Sequence, residues 1–128
     1  MKLNKNTTTI IFLLLCYFAV AQNKKNDSLW AVYNSKTQPD TNRLKAINTI
    51  AWSYSRNNPD TAIILAEQEL KLANTIHSEK GKRWAAKAFS TIGASFINKS
   101  NYPYALEYFL KALKLFEETN NKKGSGSV

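Results

Sequence analysis

Apolar residues recur along this chain at spacings of three and four, in runs separated by short polar interruptions. That is the period of helices lying on a core, and the strict alternation of strands is absent. Asp27-Ser28 opens a short helix to about Ser35, and Gln38-Pro39-Asp40 breaks the pattern. Asp40 or Thr41 then caps a helix to about Arg56, with Leu44, Ile47, Ile50, Ala51 and Tyr54 on one face. Asn57-Asn58-Pro59-Asp60 supplies a turn, an Asn cap and a proline in the first turn of the next helix. This helix carries Ala62, Ala66, Leu70 and Ala73 along one stripe and ends near His77. After a polar break at 78–81, a helix from about Lys82 to Asn98 buries Ala85, Phe89, Ile92 and Phe96. Asn101-Tyr102-Pro103 opens the last helix, with Ala105, Phe109, Ala112, Leu113 and Phe116 in phase. Residues 120–128 lack any apolar period and read as a flexible tail or the truncated start of a further unit.

The N-terminus follows a different rule. Lys2 and Lys5 precede an unbroken apolar run from Ile10 to Val20, and Ala19-Val20-Ala21 places small residues before Gln22. This charged, apolar, small-residue layout is that of a secretory signal peptide, assigned to residues 1–21. The run is short against the roughly 20 apolar residues that span a bilayer; an uncleaved anchor is the alternative. A lipid anchor on Cys16 does not fit, because Leu13, Leu14 and Leu15 stand where such signals need small residues.

Export changes what the composition means. Without Lys2 and Lys5, residues 22–128 keep sixteen basic and nine acidic residues, a net charge of +7, and no cysteine. No disulfide can form in that mature chain, so its stability has to come from helix packing.

The helices repeat. Ala51 and Tyr54 recur as Gly93 and Phe96 after 42 residues, and Ala62 and Leu70 recur as Ala105 and Leu113 after 43. Self-similarity at this period, with two helices per unit, predicts a helical solenoid. Ala51 and Gly93 permit close helix approach, and Tyr54 and Phe96 fill the space beside them. With Phe89, Ile92-Gly93, Phe96, Ala105, Phe109 and Ala112, the second unit resembles the tetratricopeptide repeat family at that family's offsets. The first unit resembles it through Ile47, Ile50-Ala51, Tyr54, Ala62 and Ala66, but has one residue fewer in its turn and Glu69 where a small residue is usual. The expected fold is therefore all-α: an antiparallel helix-hairpin solenoid with an N-terminal segment at 22–39 and repeats at 40–78 and 79–119. With the long period and the signal peptide, the chain is similar to exported repeat regions found ahead of bacterial sensor histidine kinases. Lys80-Gly81 recurs as Lys123-Gly124, as though a third unit begins.

The chemistry that would make this an enzyme is missing. His77 is the only histidine, and without a cysteine after residue 21 no zinc site of nitrogen and sulfur ligands assembles. Neither a nucleophile elbow nor a phosphate-cradling loop occurs; Gly124-Ser125-Gly126-Ser127 reads as a linker. The expectation is no catalysis, no cofactor and no metal. Lys80, Lys82, Arg83 and Lys87 cluster at the start of the third long helix and would attract an acidic partner or an anionic surface. Export argues against nucleic acid.

The resemblance implies a peptide-binding groove lined by the first helix of each unit. Its positions fall on Lys45, Asn48, Trp52, Ser55 and Arg56, and on Lys87, Ser90, Ala94, Ile97 and Asn98. Trp52 is the aromatic on the face opposite the core stripe; the alternative is that it packs on Trp30 or Tyr33 of the N-terminal segment. The expected partner is a protein or peptide, with self-association through the last helix, which carries more apolar residues than one hairpin covers. Two other readings stay open: a truncated sensory region of a signal-transduction protein, and a gene fragment without function.

Overall fold

The computed structural model describes residues 4–125 and is all-α, with helices α1 (Lys5–Asn34), α2 (Asp40–Tyr54), α3 (Pro59–Asn74), α4 (Glu79–Asn98) and α5 (Tyr102–Ser125). Each helix packs on the next in sequence, and α2 also touches α4.

Helix α1 departs from expectation. A separate short helix after Asp27 is not formed; instead α1 runs unbroken from Lys5 to Asn34. Nothing between Val20 and Asp27 is a glycine or proline to stop it. Ser28, expected as a cap, donates its hydroxyl back to the Lys24 carbonyl within the helix. The two ends of α1 behave differently. Its apolar run, Ile10 to Val20, is exposed, and the helix is long and apolar enough to cross a membrane. Its last turns carry Leu29, Trp30 and Tyr33 onto the core. Arg43 of α2 fastens that end: Nε donates to the Tyr33 carbonyl at 2.8 Å and the guanidinium lies over the Tyr33 ring.

The other boundaries have local causes. Helix α2 begins at Asp40 with Pro39, not Asp40 or Thr41, at the cap position, and it ends at Tyr54, two residues before Arg56. Asn58 caps α3 as expected, accepting from the Thr61 amide at 3.2 Å. Helix α3 stops at Asn74, three residues early, closing with the Thr75 and Ile76 amides donating to the Leu72 and Ala73 carbonyls, and α4 starts early at Glu79. Gly81 therefore lies in the first turn of α4 and lets it press on the end of α3. A Cβ there would sit 2.0 Å from the Ile76 carbonyl oxygen and 2.8 Å from that of Ala73. Helix α4 closes with Ser100 at φ 58°, the Asn101 amide donating to Phe96 and the Ser100 amide to Ile97. This is the double bond of a Schellman turn, with serine in the place glycine usually takes. Helix α5 continues through Ser125, past the expected end near residue 119, so backbone at 120–125 is helical; residues 126–128 of the expected tail lie outside the described residues.

Contacts across the helices set their directions. Asn48 meets Glu69, and Leu44 shares a cluster with Ala73, so α2 and α3 are antiparallel. Lys82 meets Glu118, Phe89 meets Tyr108 and Phe96 meets Tyr104, so α4 and α5 are antiparallel too. Leu44 clusters with Ala85, Ile50 clusters with Ile92, and the Asn98 side chain donates to the Ser55 carbonyl at 2.8 Å. These partners lie 41 to 43 residues apart, so α2 and α4 run parallel in register. An Asp60–Lys99 ion pair ties the start of α3 to the end of α4.

The core holds the expected stripe residues Leu44, Ile47, Ile50, Ala51, Ala62, Ala66, Ala73, Ala85, Ile92, Ala105 and Ala112, all buried. Leu70 and Phe116, by contrast, are half-buried, and Leu113, expected in phase with them, is 51% exposed. The aromatic residues are corrected from buried to half-buried. Tyr54, Phe89, Phe96 and Phe109 all keep an exposed edge. Phe96 stacks on Tyr104 and Tyr108 at centroid distances of 5.3 and 5.6 Å. The Phe109 ring covers Gly93, where a Cβ would meet three ring carbons at 3.1 Å. Because Phe109 is only half-buried, Phe109→Ala is expected to cost about 2–3 kcal/mol, below the usual range for a fully buried ring. A thermal melt unchanged from the parent would contradict the Gly93–Phe109 contact.

Candidate functional site

The candidate groove residues occupy two rows. On α2 and the turn after it, Lys45, Asn48, Trp52 and Arg56 follow one another at three- and four-residue steps, and Lys87, Ser90, Ala94 and Asn98 do so on α4. Since α2 and α4 are parallel and in register, the rows lie side by side. Lys45, Arg56 and Lys87 are exposed, and Trp52 keeps 55% and Ile97 46% of their surface open. The alternative of Trp52 packing on the N-terminal segment is not adopted. Trp30 and Tyr33 meet each other edge to face at 6.0 Å and pack on the core, while Trp52 keeps more than half of its surface open.

Three of the expected surface positions are committed to the fold. Asn98 donates both to the Ser55 carbonyl and, at 3.1 Å, to the Ala94 carbonyl, stapling the two units at one end. Ser90 donates its hydroxyl to the Ala86 carbonyl at 3.0 Å. Ser55 itself is buried and bonds to the Trp52 carbonyl. Asn98, Ser90 and Ser55 thus shape the surface more than they offer donors to a ligand.

Asn48 is held from below. Its side-chain nitrogen donates to both carboxyl oxygens of Glu69, at 3.0 and 3.2 Å. Glu69 has no exposed surface at all. Burial pushes its carboxyl up to about 8, against the smaller opposing pulls of the Asn48 hydrogen bond and the Lys87 charge. Desolvation wins because a charge removed from water loses more than one neutral amide returns. At neutral pH the pair is therefore a neutral acid bonded to a neutral amide, which orients Asn48 without placing a charge beneath it.

The sequence contained a trace of this arrangement, since Glu69 stands where the repeat pattern calls for a small residue. Its partner lies 21 positions away, across a hairpin. Trp84 had no trace in the core stripe: it lies under Lys87, whose ammonium sits 4.3 Å from the ring centre. That is one helical turn of separation and within cation–π range. Among the described residues no group of three or more His, Cys, Asp or Glu side chains could hold a metal ion.

Comparison with protein-family models, curated proteins and solved structures finds no match for this chain. The functional reading therefore rests on its own residues.

Proposed function

We propose that the chain is an exported, non-catalytic interaction module of two tetratricopeptide-like hairpins, which holds a peptide or protein segment against the α2–α4 surface. The observation that carries this reading is Trp52. A large aromatic keeps 55% of its surface open in the middle of the α2 row, and Ile97 at the end of α4 keeps 46% open. Exposed aromatic and arginine side chains over a rigid base are what interface hot spots are made of. The in-register pairing of α2 and α4 supplies the rigid base.

Panning a random peptide library on the full chain tests the proposal. Selected peptides should bind roughly tenfold more weakly to Trp52→Ala and equally well to Gln68→Ala, an exposed change on α3. Peptides indifferent to Trp52, or no enrichment, would overturn it.

Export is part of the same proposal. It is supported by the exposed apolar run of α1 and the small residues at Ala19 and Ala21. Cleavage after Ala21 should leave Gln22, cyclised or not, as the N-terminus found by mass spectrometry of the exported protein. Intact Met1 in a membrane fraction would favour the anchor.

The last helix supplies a second expected contact. Leu106, Leu110 and Leu113 lie on one side of α5 at four- and three-residue steps and are 61%, 54% and 51% exposed. A contiguous apolar stripe of this kind marks an interaction site or an aggregation hazard. In sedimentation at low micromolar concentration, residues 22–128 should run larger than a monomer, and Leu110→Lys should shift them back. A strictly monomeric, well-folded parent would rule out self-association.

A further inference from the structure

At the start of α4, Lys80, Arg83, Trp84 and Lys87 fall at three-, four- and seven-residue steps on one face. They line a concavity of about 620 Å³, closed on one side by Thr41 of α2 and on the other by Phe116, Thr119 and Asn120 of α5. The lining holds three cations and two aromatic rings, and no acidic residue.

Two of the neighbouring acids meet Lys82. Glu118 meets Lys82 at 3.7 Å, and Glu79 lies 3.9 Å from the same ammonium. Lys82, the fourth member of the basic cluster seen in the sequence, is thereby neutralised outside the concavity. Among the described residues, Lys80, Arg83 and Lys87 form no ion pair with a carboxylate. Lys87 is instead held over Trp84. The buried Glu69 stays protonated near neutral pH and does little to offset the Lys87 charge.

We infer that this concavity is a docking site for an acidic peptide segment, whose carboxylates meet Lys80, Arg83 and Lys87 while an apolar side chain rests on Trp84 and Phe116. Charge complementarity selects that occupant: like-signed cations on a half-enclosed surface raise the local concentration of anions. The Arg83 guanidinium can take a carboxylate in a two-point bond. The rings add apolar contact that a free inorganic anion would not use. The inference deepens the proposed function, on which it rests, by giving the bound segment a charge and a location at one end of the α2–α4 surface.

The test uses the full chain in mild detergent and a short fluorescein-labelled peptide of alternating glutamate and leucine, followed by fluorescence anisotropy. The glutamine-for-glutamate peptide is the control. The glutamate peptide should bind, weaken roughly tenfold between low and high salt, and weaken by a similar factor in Lys80→Ala/Arg83→Ala. Trp84→Phe, which keeps a ring, should retain more affinity than Trp84→Ala. Circular dichroism melts confirm that each variant folds, and Lys80→Gln/Arg83→Gln provides a second pair should the alanine pair melt early. Equal binding of both peptides would overturn the inference, and so would full competition by an anionic phospholipid mixed into the detergent micelles at matched charge. If Trp52→Ala abolishes binding and the Lys80/Arg83 pair has no effect, the concavity falls and the groove reading survives. If the panned peptides fail at Trp52 while the glutamate peptide still depends on Arg83, the groove reading falls and the acidic site survives.

Discussion

Raising the pH from about 5 to about 9 should lower the stability of the helical domain by about 3–5 kcal/mol, and Glu69→Gln should abolish most of that loss. The cause is the carboxyl of Glu69, raised from 4.5 to about 8 by burial between α2, α3 and α4. Below pH 4.5 it is protonated whether the chain is folded or not, and it adds no pH dependence. Between 4.5 and 8 the unfolded chain releases the proton while the folded chain retains it. Each pH unit over that interval therefore removes about 1.4 kcal/mol from folding. Above 8 the penalty is complete, because the folded state must hold a buried carboxylate whose direct partner is the neutral Asn48 amide. Lys87 softens the loss without cancelling it. For a domain of this size the loss corresponds to a fall in melting temperature of about 15 °C or more. Urea titrations at both pH values measure it. The glutamine variant keeps an acceptor for Asn48 and has no proton to lose, so its curve should be nearly flat. An equal slope in parent and variant would show that Glu69 ionises freely.

Gly81→Ala should destabilise the domain by about 3 kcal/mol, opposite in sign to the usual effect of the change. Within a helix, alanine is normally favoured over glycine by about 1 kcal/mol. At Gly81 the added methyl would enter space held by the Ile76 and Ala73 carbonyl oxygens, at 2.0 and 2.8 Å. Both are backbone atoms, Ala73 in the last turn of α3 and Ile76 in the connection that follows, and cannot rotate away as a side chain could. The chain has to unwind the first turn of α4 or push it off α3, loosening the Leu44, Ala73 and Ala85 cluster. A melt at or above the parent's temperature would show that the α3–α4 corner yields more easily than its geometry implies. Gly93 is a milder case, because the atoms it faces belong to the Phe109 side chain.

The sequence by itself determined the helices and their inward faces. Three- and four-residue spacing named most of the buried aliphatic residues from Leu44 to Ala112 but missed Ala46, Leu65, Ala86 and Ala88. A helix packed on a core places its apolar atoms on one stripe, and a second neighbour widens that stripe. The 42- and 43-residue offsets marked equivalent positions of two units; that such positions of α2 and α4 also meet, as Ser55 and Asn98 do, came from the structure. Helix ends were less legible. The α3–α4 corner depends on a single glycine packed against backbone of another helix, and α1 runs on because no residue stops it. The aromatic residues were read too deep: periodicity gives direction, and depth depends on what lies beyond the ring. Tertiary structure alone decided the charges. Glu69 was visible as an oversized residue in a small residue's place, but its neutrality follows from exclusion of water and from an amide 21 residues away. Likewise, four basic residues looked alike in the sequence. Folding paired Lys82 with two glutamates and left Lys80, Arg83 and Lys87 around a concavity, because α5 returns antiparallel and brings Glu118 to one side of α4 and Phe116 to the other.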